Sequence, residues 1–124
     1  MARLLLVDDE SMLLDGILQL LRGAGYEAEG ASSGEEALLC FERDKIDFDL
    51  VICDIRMRGM TGLEFWNQLW KKFGEDIPPF LFVSAKVDNS DLERIEGMKS
   101  ANFLRKPFDF AILFERIQTL LDIQ

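Results

Sequence analysis

The stretch LVICDIRMRGMTG, residues 50–62, decides the fold. Leu50 to Cys53 is an apolar run without alternation, the pattern of a strand buried on both faces. The run delivers a carboxylate, Asp54, and a loop holding Gly59 and Gly62 follows at once. In open α/β sheets ligands bind outside the strand ends, so this acid reads as placed for chemistry.

Working outward, the same design repeats. Arg3–Val7 reads as a strand running into Asp8, Asp9 and Glu10. From Ser11, apolar residues at 13, 14, 17, 18 and 21 form one helical face, stopped by Gly23 and Gly25. Tyr26–Ala31 is a weaker strand, and Glu35–Arg43 a helix. After the glycine loop, Leu63, Trp66, Leu69, Trp70 and Phe73 mark a helix broken by Pro78 and Pro79. Phe80–Val83 is a strand ending at Ser84. Asp88–Lys99 is a polar helix anchored only by Leu92, Ile95 and Met98. Phe103 and Leu104 form a short strand before Lys106-Pro107, and Leu113, Phe114, Ile117, Leu120 and Leu121 mark a last helix. Strands alternating with helices imply a parallel sheet covered on both faces. Right-handed crossovers then bring every strand's C-terminal end to one edge.

The totals agree with one domain over residues 1–124, with 48% hydrophobic residues for a core and 30% charged residues for a solvated surface. A net charge of −9 disfavours nucleic acid and anionic membranes and favours a cation or a basic partner. Cys40 and Cys53 form no CxxC and read as small buried hydrophobes. Reduced thiols and the lack of a signal-peptide pattern point to the cytoplasm. No apolar run approaches the about 18 residues needed to span a bilayer. With no histidine, catalysis through His triads or His-bound metals is excluded.

The topology gathers Asp8, Asp9, Asp54, Ser84 and Lys106 at one edge. Carboxylates in such proximity repel one another, and a hard divalent cation relieves that repulsion. Mg²⁺ suits the oxygen donors, with Asp9 and Asp54 as direct ligands, Asp8 acting through water and a carbonyl near Arg56 completing the protein's share. Asp54 can also attack phosphorus to give an aspartyl phosphate. Phosphoryl transfer asks chiefly for positioning and charge neutralisation, which Mg²⁺, Lys106 and the Ser84 hydroxyl would supply. A phosphohistidine on a partner could be the donor.

Taken singly, each residue has an ordinary role. An acidic pair after a strand often caps a helix, Ser84 suits a turn, and Lys-Pro is a turn signal. Trp66 and Trp70 at i and i+4 suit a core or partner surface better than a cofactor box. The joint pattern is what carries the functional reading.

Four motifs in order, LLLVDDE, VICDIRMRGMTG, FVSAK and FLRKPF, make the chain resemble the receiver domain of two-component response regulators over nearly its whole length. The resemblance implies a flavodoxin-like (βα)5 sandwich: a five-stranded parallel sheet in the order 2-1-3-4-5 between two helical layers. It implies that Asp54 is the phosphoacceptor and that Asp8, Asp9 and the Arg56 carbonyl bind Mg²⁺ with it. Ser84 and Lys106 are implied to contact the phosphoryl group, Phe103 to be the switch aromatic, and Pro107 to follow a cis bond. The implied partners are a histidine kinase or phosphotransfer protein upstream and a downstream protein or effector domain, with no direct contact to nucleic acid or membrane. On this reading the chain is a signalling switch and not an enzyme acting on other molecules. It catalyses only its own phosphorylation and dephosphorylation.

Departures from the family pattern fall in the loops. Arg58 stands where Pro is common, and Thr61 where Asp is common. Arg56 and Lys86 occupy the two variable positions that tune dephosphorylation, Ala85 leaves room for the phosphoryl group, and Phe103 lacks the hydroxyl of a tyrosine. Phosphorylation is expected to draw Ser84 inward, let Phe103 swing, and remodel the surface around Asp88–Lys99.

Three other readings are weighed. A phosphorylation-independent interaction module of the same fold would be expected to have lost an acid, the hydroxyl or the lysine, and all are present. An aspartyl phosphohydrolase would want an acid where Arg56 stands. A flavin protein would meet an acidic edge that repels FMN phosphate. The chain ends soon after its last helix, as a stand-alone receiver or a domain cut from a longer protein.

Overall fold

The computed structural model describes residues 2–44, 47–98 and 101–122. The chain alternates β1 (Arg3–Val7), α1 (Ser11–Gly23), β2 (Glu27–Ala31), α2 (Gly34–Asp44), β3 (Leu50–Asp54), α3 (Gly62–Phe73), β4 (Phe80–Ser84), α4 (Asn89–Glu96), β5 (Ala101–Arg105) and α5 (Phe110–Asp122). A short 3-10 turn at Gly74–Asp76 closes α3. The strands form one parallel sheet in the order β2-β1-β3-β4-β5. The order reverses between β1 and β3, which opens a crevice beyond their C-terminal ends.

The apolar runs explain the central strands. Successive side chains point to opposite faces, and both faces are covered. Leu5, Val7, Val51, Cys53, Phe80 and Phe82 pack on the side of α2, α3 and α4. Leu4, Leu6, Leu50, Ile52, Leu81 and Val83 pack against α1 and α5. Every residue of β3 and β4 is buried, so these strands are well-packed mounts for the residues at their ends. β2 fits its weak pattern, since only Ala31 of its five residues is fully buried.

Local chemistry sets the helix starts. The Thr61 hydroxyl accepts from the Glu64 amide at 3.2 Å while the Glu64 carboxylate accepts from the Thr61 amide at 3.1 Å, a capping box that starts α3. Asp88 and Asp91 make the same reciprocal pair at α4. Gly59 has φ +74, a conformation that favours glycine, and it turns the loop after β3 back toward α3.

The sequence placed strands and helices in the right order, with differences at their ends. β3 extends one residue to include Asp54 itself, and β5 spans Ala101–Arg105 and not only Phe103-Leu104. The helix expected over Asp88–Lys99 is shorter, because Asp88 is its cap and Gly97 closes it; Lys99 lies outside the described residues. Among the described residues no helix is long and apolar enough to cross a membrane.

Candidate functional site

β1 ends at Val7 and hands the chain to Asp8, whose side chain is buried; its Oδ1 accepts from the Glu10 amide at 2.9 Å. β3 ends on Asp54, whose Oδ1 accepts from the Arg56 amide at 3.1 Å. Between the two carboxylates lies Lys106, just past β5. Its Nζ donates to Asp54 Oδ2 at 2.8 Å and to Asp8 Oδ2 at 3.1 Å. The Lys106 side chain is 16% exposed, Asp54's 8% and Asp8's 3%. Three groups far apart in sequence thus meet in a nearly dry ionic cluster. The Lys106-Pro107 bond is cis.

The electrostatics follow from that burial. Desolvation raises the Asp54 pKa above its ordinary 3.8, and the Asp8 charge adds to the rise. The hydrogen bond and charge of Lys106 oppose the rise without cancelling it. For Lys106, burial pulls the pKa down, but its contacts with Asp54 and Asp8 outweigh that, and it ends above 10.5. Burial also pushes the Cys53 thiol up, helped by the Asp54 and Asp8 charges, so this cysteine stays a protonated core residue.

Asp54 lies in a cleft of about 180 Å³ lined by Glu10, Arg56, Ser84, Ala85, Lys86 and Lys106. The buried Ser84 hydroxyl donates to the Lys86 carbonyl at 3.2 Å. Ala85 is exposed and small, so the cleft stays open on that side. Asp9 is bonded to the loop that follows β3. Its Oδ2 accepts from the Arg58 amide at 2.9 Å and faces the Arg58 guanidinium at 3.5 Å. Among the described residues no three acidic or sulfur side chains are drawn together tightly enough to hold a metal. Asp8 and Asp54 meet on Lys106 Nζ, and Asp9 follows Asp8 directly, so three carboxylates lie close in sequence or space at these strand ends.

Phe103 lies apart from the cleft. It pairs in register with Phe82, is half-buried, and packs on the α2–α3–α4 side of the sheet. Ser84 is two residues past Phe82 and therefore faces the same side. The Arg105 guanidinium sits 5.9 Å from the centre of the Phe103 ring. The structure thus joins Asp54, Lys106 and Ser84 around one cleft, ties Asp8 to it through Lys106, bonds Asp9 to the Arg58 amide, and sets Phe103 one strand over.

Asp88 and Asp91 escaped the sequence reading as site residues. Both face the Arg56 side chain, with Asp91 its partner in an ion pair and Asp88 Oδ2 at 3.7 Å. The D-x-x-D spacing signals a helix cap, but nothing local ties it to an arginine 35 residues upstream.

The fold and the buried acid–lysine cluster at its switch point define a doubly wound α/β protein with a cleft of about 180 Å³ at the strand ends. The chain belongs to the response regulator receiver domain family, matched over residues 4–118. It is accordingly a receiver domain of the two-component response regulator kind. Its backbone is similar to the Vibrio cholerae chemotaxis protein CheY4, with a TM-score of 0.86 and 30% identity, covering 97% of this chain and 98% of that one. It is also similar to the response regulator TrrA of Thermotoga maritima, solved in complex with Mg²⁺-BeF, with a TM-score of 0.80 and 34% identity over 97% and 99% of the two chains. Among curated relatives, response regulator MprA of Mycobacterium leprae is 35% identical over 121 residues, 96% of this chain and 50% of that protein. The chain spans about half the length of the first curated relatives it matches.

Proposed function

We propose that Asp54 accepts a phosphoryl group from a phosphohistidine on a partner kinase or phosphotransfer protein. An Asp54 carboxylate oxygen forms the new bond to phosphorus. The P–N bond breaks, and its electron pair returns to the imidazole of the donor. The observation that carries this reading is the placement of Asp54: a buried carboxylate at a rigid strand end, on the wall of the cleft, with Lys106 at 2.8 Å. Lys106 neutralises charge on the transferring group, and the Ser84 hydroxyl reorients from the Lys86 carbonyl to donate to it.

Asp8, Asp9, Asp54 and the Arg56 carbonyl would hold Mg²⁺, which supplies positive charge at the phosphoryl oxygens when bound. Asp9 must leave Arg58 to join this set. Water attack on the aspartyl phosphate returns Asp54 and releases phosphate, so the chain resets itself. Phe103, on the same face of the sheet as Ser84, occupies the space that Ser84 vacates and transmits the event to a downstream protein or effector domain.

Beside the cleft runs a mainly apolar groove of about 370 Å³ lined by Leu13, Ile17, Pro107, Phe108 and Phe110, with Ala85 and Lys106 at its border with the cleft. It shares Ala85 and Lys106 with the cleft over Asp54, which supports docking of the phosphodonor in this groove. The acidic chain favours a donor with basic residues around an apolar contact, at the cytoplasmic side of a signalling pathway.

The test is intact mass after incubation with acetyl phosphate, with and without Mg²⁺, beside Asp54→Asn. One added phosphoryl group that needs Mg²⁺ and Asp54 supports the proposal. An unchanged mass would move the reading to an interaction module that works without phosphorylation.

A further inference from the structure

Arg56 follows Asp54 by two residues, yet its side chain runs across to the start of α4. Its Nε donates to the Lys86 carbonyl at 3.2 Å, and its Nη2 is paired with Asp91 Oδ2. The Asp91 side chain is only 10% exposed, and the same Oδ2 accepts from the Asp88 amide at 3.3 Å in the α4 capping box. The Lys86 carbonyl also takes the Ser84 hydroxyl. Two donors therefore pin the segment between β4 and α4, and both belong to residues lining the cleft over Asp54.

We infer that Arg56 and Asp91 form a latch that holds the first turn of α4 while Asp54 is unmodified. A phosphoryl group on Asp54 opens the latch by competing with Asp91 for the guanidinium. This inference rests on the phosphoacceptor reading of Asp54 and adds a named route from that residue to α4.

The physical case has three parts. A phosphoryl group brings roughly −1.5 to −2 charge and three acceptor oxygens, which a guanidinium matches with two parallel hydrogen bonds. Asp91 offers one negative charge and already shares its Oδ2 with a backbone amide. Once Arg56 leaves, Asp91 is a nearly buried carboxylate without its counter-charge, beside the acidic Asp88, and the first turn of α4 opens to hydrate it. α4 has little else to hold it, since it spans eight residues and buries only Asp91 and Ile95. Ser84 turning toward the phosphoryl group strips the second donor from the Lys86 carbonyl at the same moment.

The test is amide hydrogen exchange across Leu92–Gly97 with beryllofluoride and Mg²⁺ as the phosphoryl mimic. In the unmodified protein, Arg56→Gln is expected to exchange roughly fivefold faster there than wild type. Adding beryllofluoride should speed the wild type strongly and Arg56→Gln by less, since in that variant only the Ser84 contact with the Lys86 carbonyl is left to lose. Asp91→Asn, which keeps a capping oxygen but loses the charge, should bind beryllofluoride roughly fivefold more tightly than wild type. That gain should vanish when Arg56→Gln is added. Equal α4 exchange in unmodified wild type and Arg56→Gln would overturn the latch, as would a gain in Asp91→Asn that survives without Arg56. A wild type that takes up no beryllofluoride would strike instead at the phosphoacceptor reading, and exchange in the unmodified protein would then decide the latch alone.

Discussion

Gly62 presses against the carbonyl of Asp54: a Cβ at Gly62 would stand 2.3 Å from that oxygen and 3.1 Å from Cys53 Sγ. The Gly62 amide also donates to the Ile55 carbonyl at 2.9 Å, so the first turn of α3 is bonded to the end of β3. Neither atom can yield, because the carbonyl is backbone and the thiol is fully buried. Gly62→Ala should therefore cost about 3 kcal/mol in urea unfolding, the upper range for overpacking. It should also slow phosphorylation from acetyl phosphate by displacing Asp54. A variant as stable as wild type would show that α3 slides freely over the site.

Asp54→Asn should stabilise the protein at neutral pH. Burial holds the Asp54 pKa above 3.8 in the folded state, so the folded chain keeps this proton more firmly than the unfolded chain. As pH rises from 3.8 through the higher folded value, the unfolded state ionises first and stability falls. Above that interval the penalty is complete, and below 3.8 it is gone. Asn carries no such penalty and keeps an oxygen for Lys106. Urea midpoints should favour the variant at pH 7 and converge with wild type near pH 3.5. A variant less stable than wild type at pH 7 would show that the Lys106 pair outweighs desolvation.

Lys106→Met should act in the opposite direction. It leaves Asp8 and Asp54, with side chains 3% and 8% exposed, facing one another without a cation. Loss of about 3 kcal/mol at neutral pH is expected for a broken buried pair. Lys106 is held above 10.5 in the folded state, so its contribution is complete below 10.5 and fades as pH rises through the folded value. The gap between wild type and variant should stay level from neutral pH to about pH 10 and close beyond it. Millimolar Mg²⁺ should narrow the gap at neutral pH by replacing the lost charge, and no response to Mg²⁺ would count against a cation between these two acids.

The sequence carried the frame of this site because each central strand is an unbroken apolar run ending on its chemical residue. Leu50–Cys53 before Asp54 and Phe80–Val83 before Ser84 could only be buried, and burial on both faces fixed where their ends emerge. What lay beyond reach was side-chain direction in the loops. Asp9 reads as a partner of Asp54 by adjacency to Asp8, but nothing local in the sequence reveals its contact with the Arg58 amide across 49 residues. Arg56 read as a cation near the phosphoryl site, and its engagement with Asp91 depends on where α4 begins, which the polar stretch from Asp88 left loosely defined. The tryptophans were legible: Trp66 is buried and Trp70 half-buried, stacked with ring centres 5.2 Å apart within the core layer. Among the described residues the Trp66 indole nitrogen finds no hydrogen-bond partner.

Arg58 should set the affinity for Mg²⁺. Its guanidinium, 89% exposed at the side chain, faces Asp9 at 3.5 Å, and its amide holds the same carboxylate oxygen at 2.9 Å. Asp9 must give up both contacts to turn toward the cleft it would share with Asp8 and Asp54. Arg58→Ala removes the cation and leaves the amide bond, so only the exposed ion pair is lost, worth up to about 1 kcal/mol. Mg²⁺ should then bind roughly two- to fivefold more tightly by calorimetry, and the difference should shrink in high salt as screening weakens the pair in wild type. Asp9→Asn should weaken binding in either background. If Arg58→Ala binds Mg²⁺ no better than wild type at low salt, the position of Asp9 is set by the backbone amide, and the guanidinium plays no part in it.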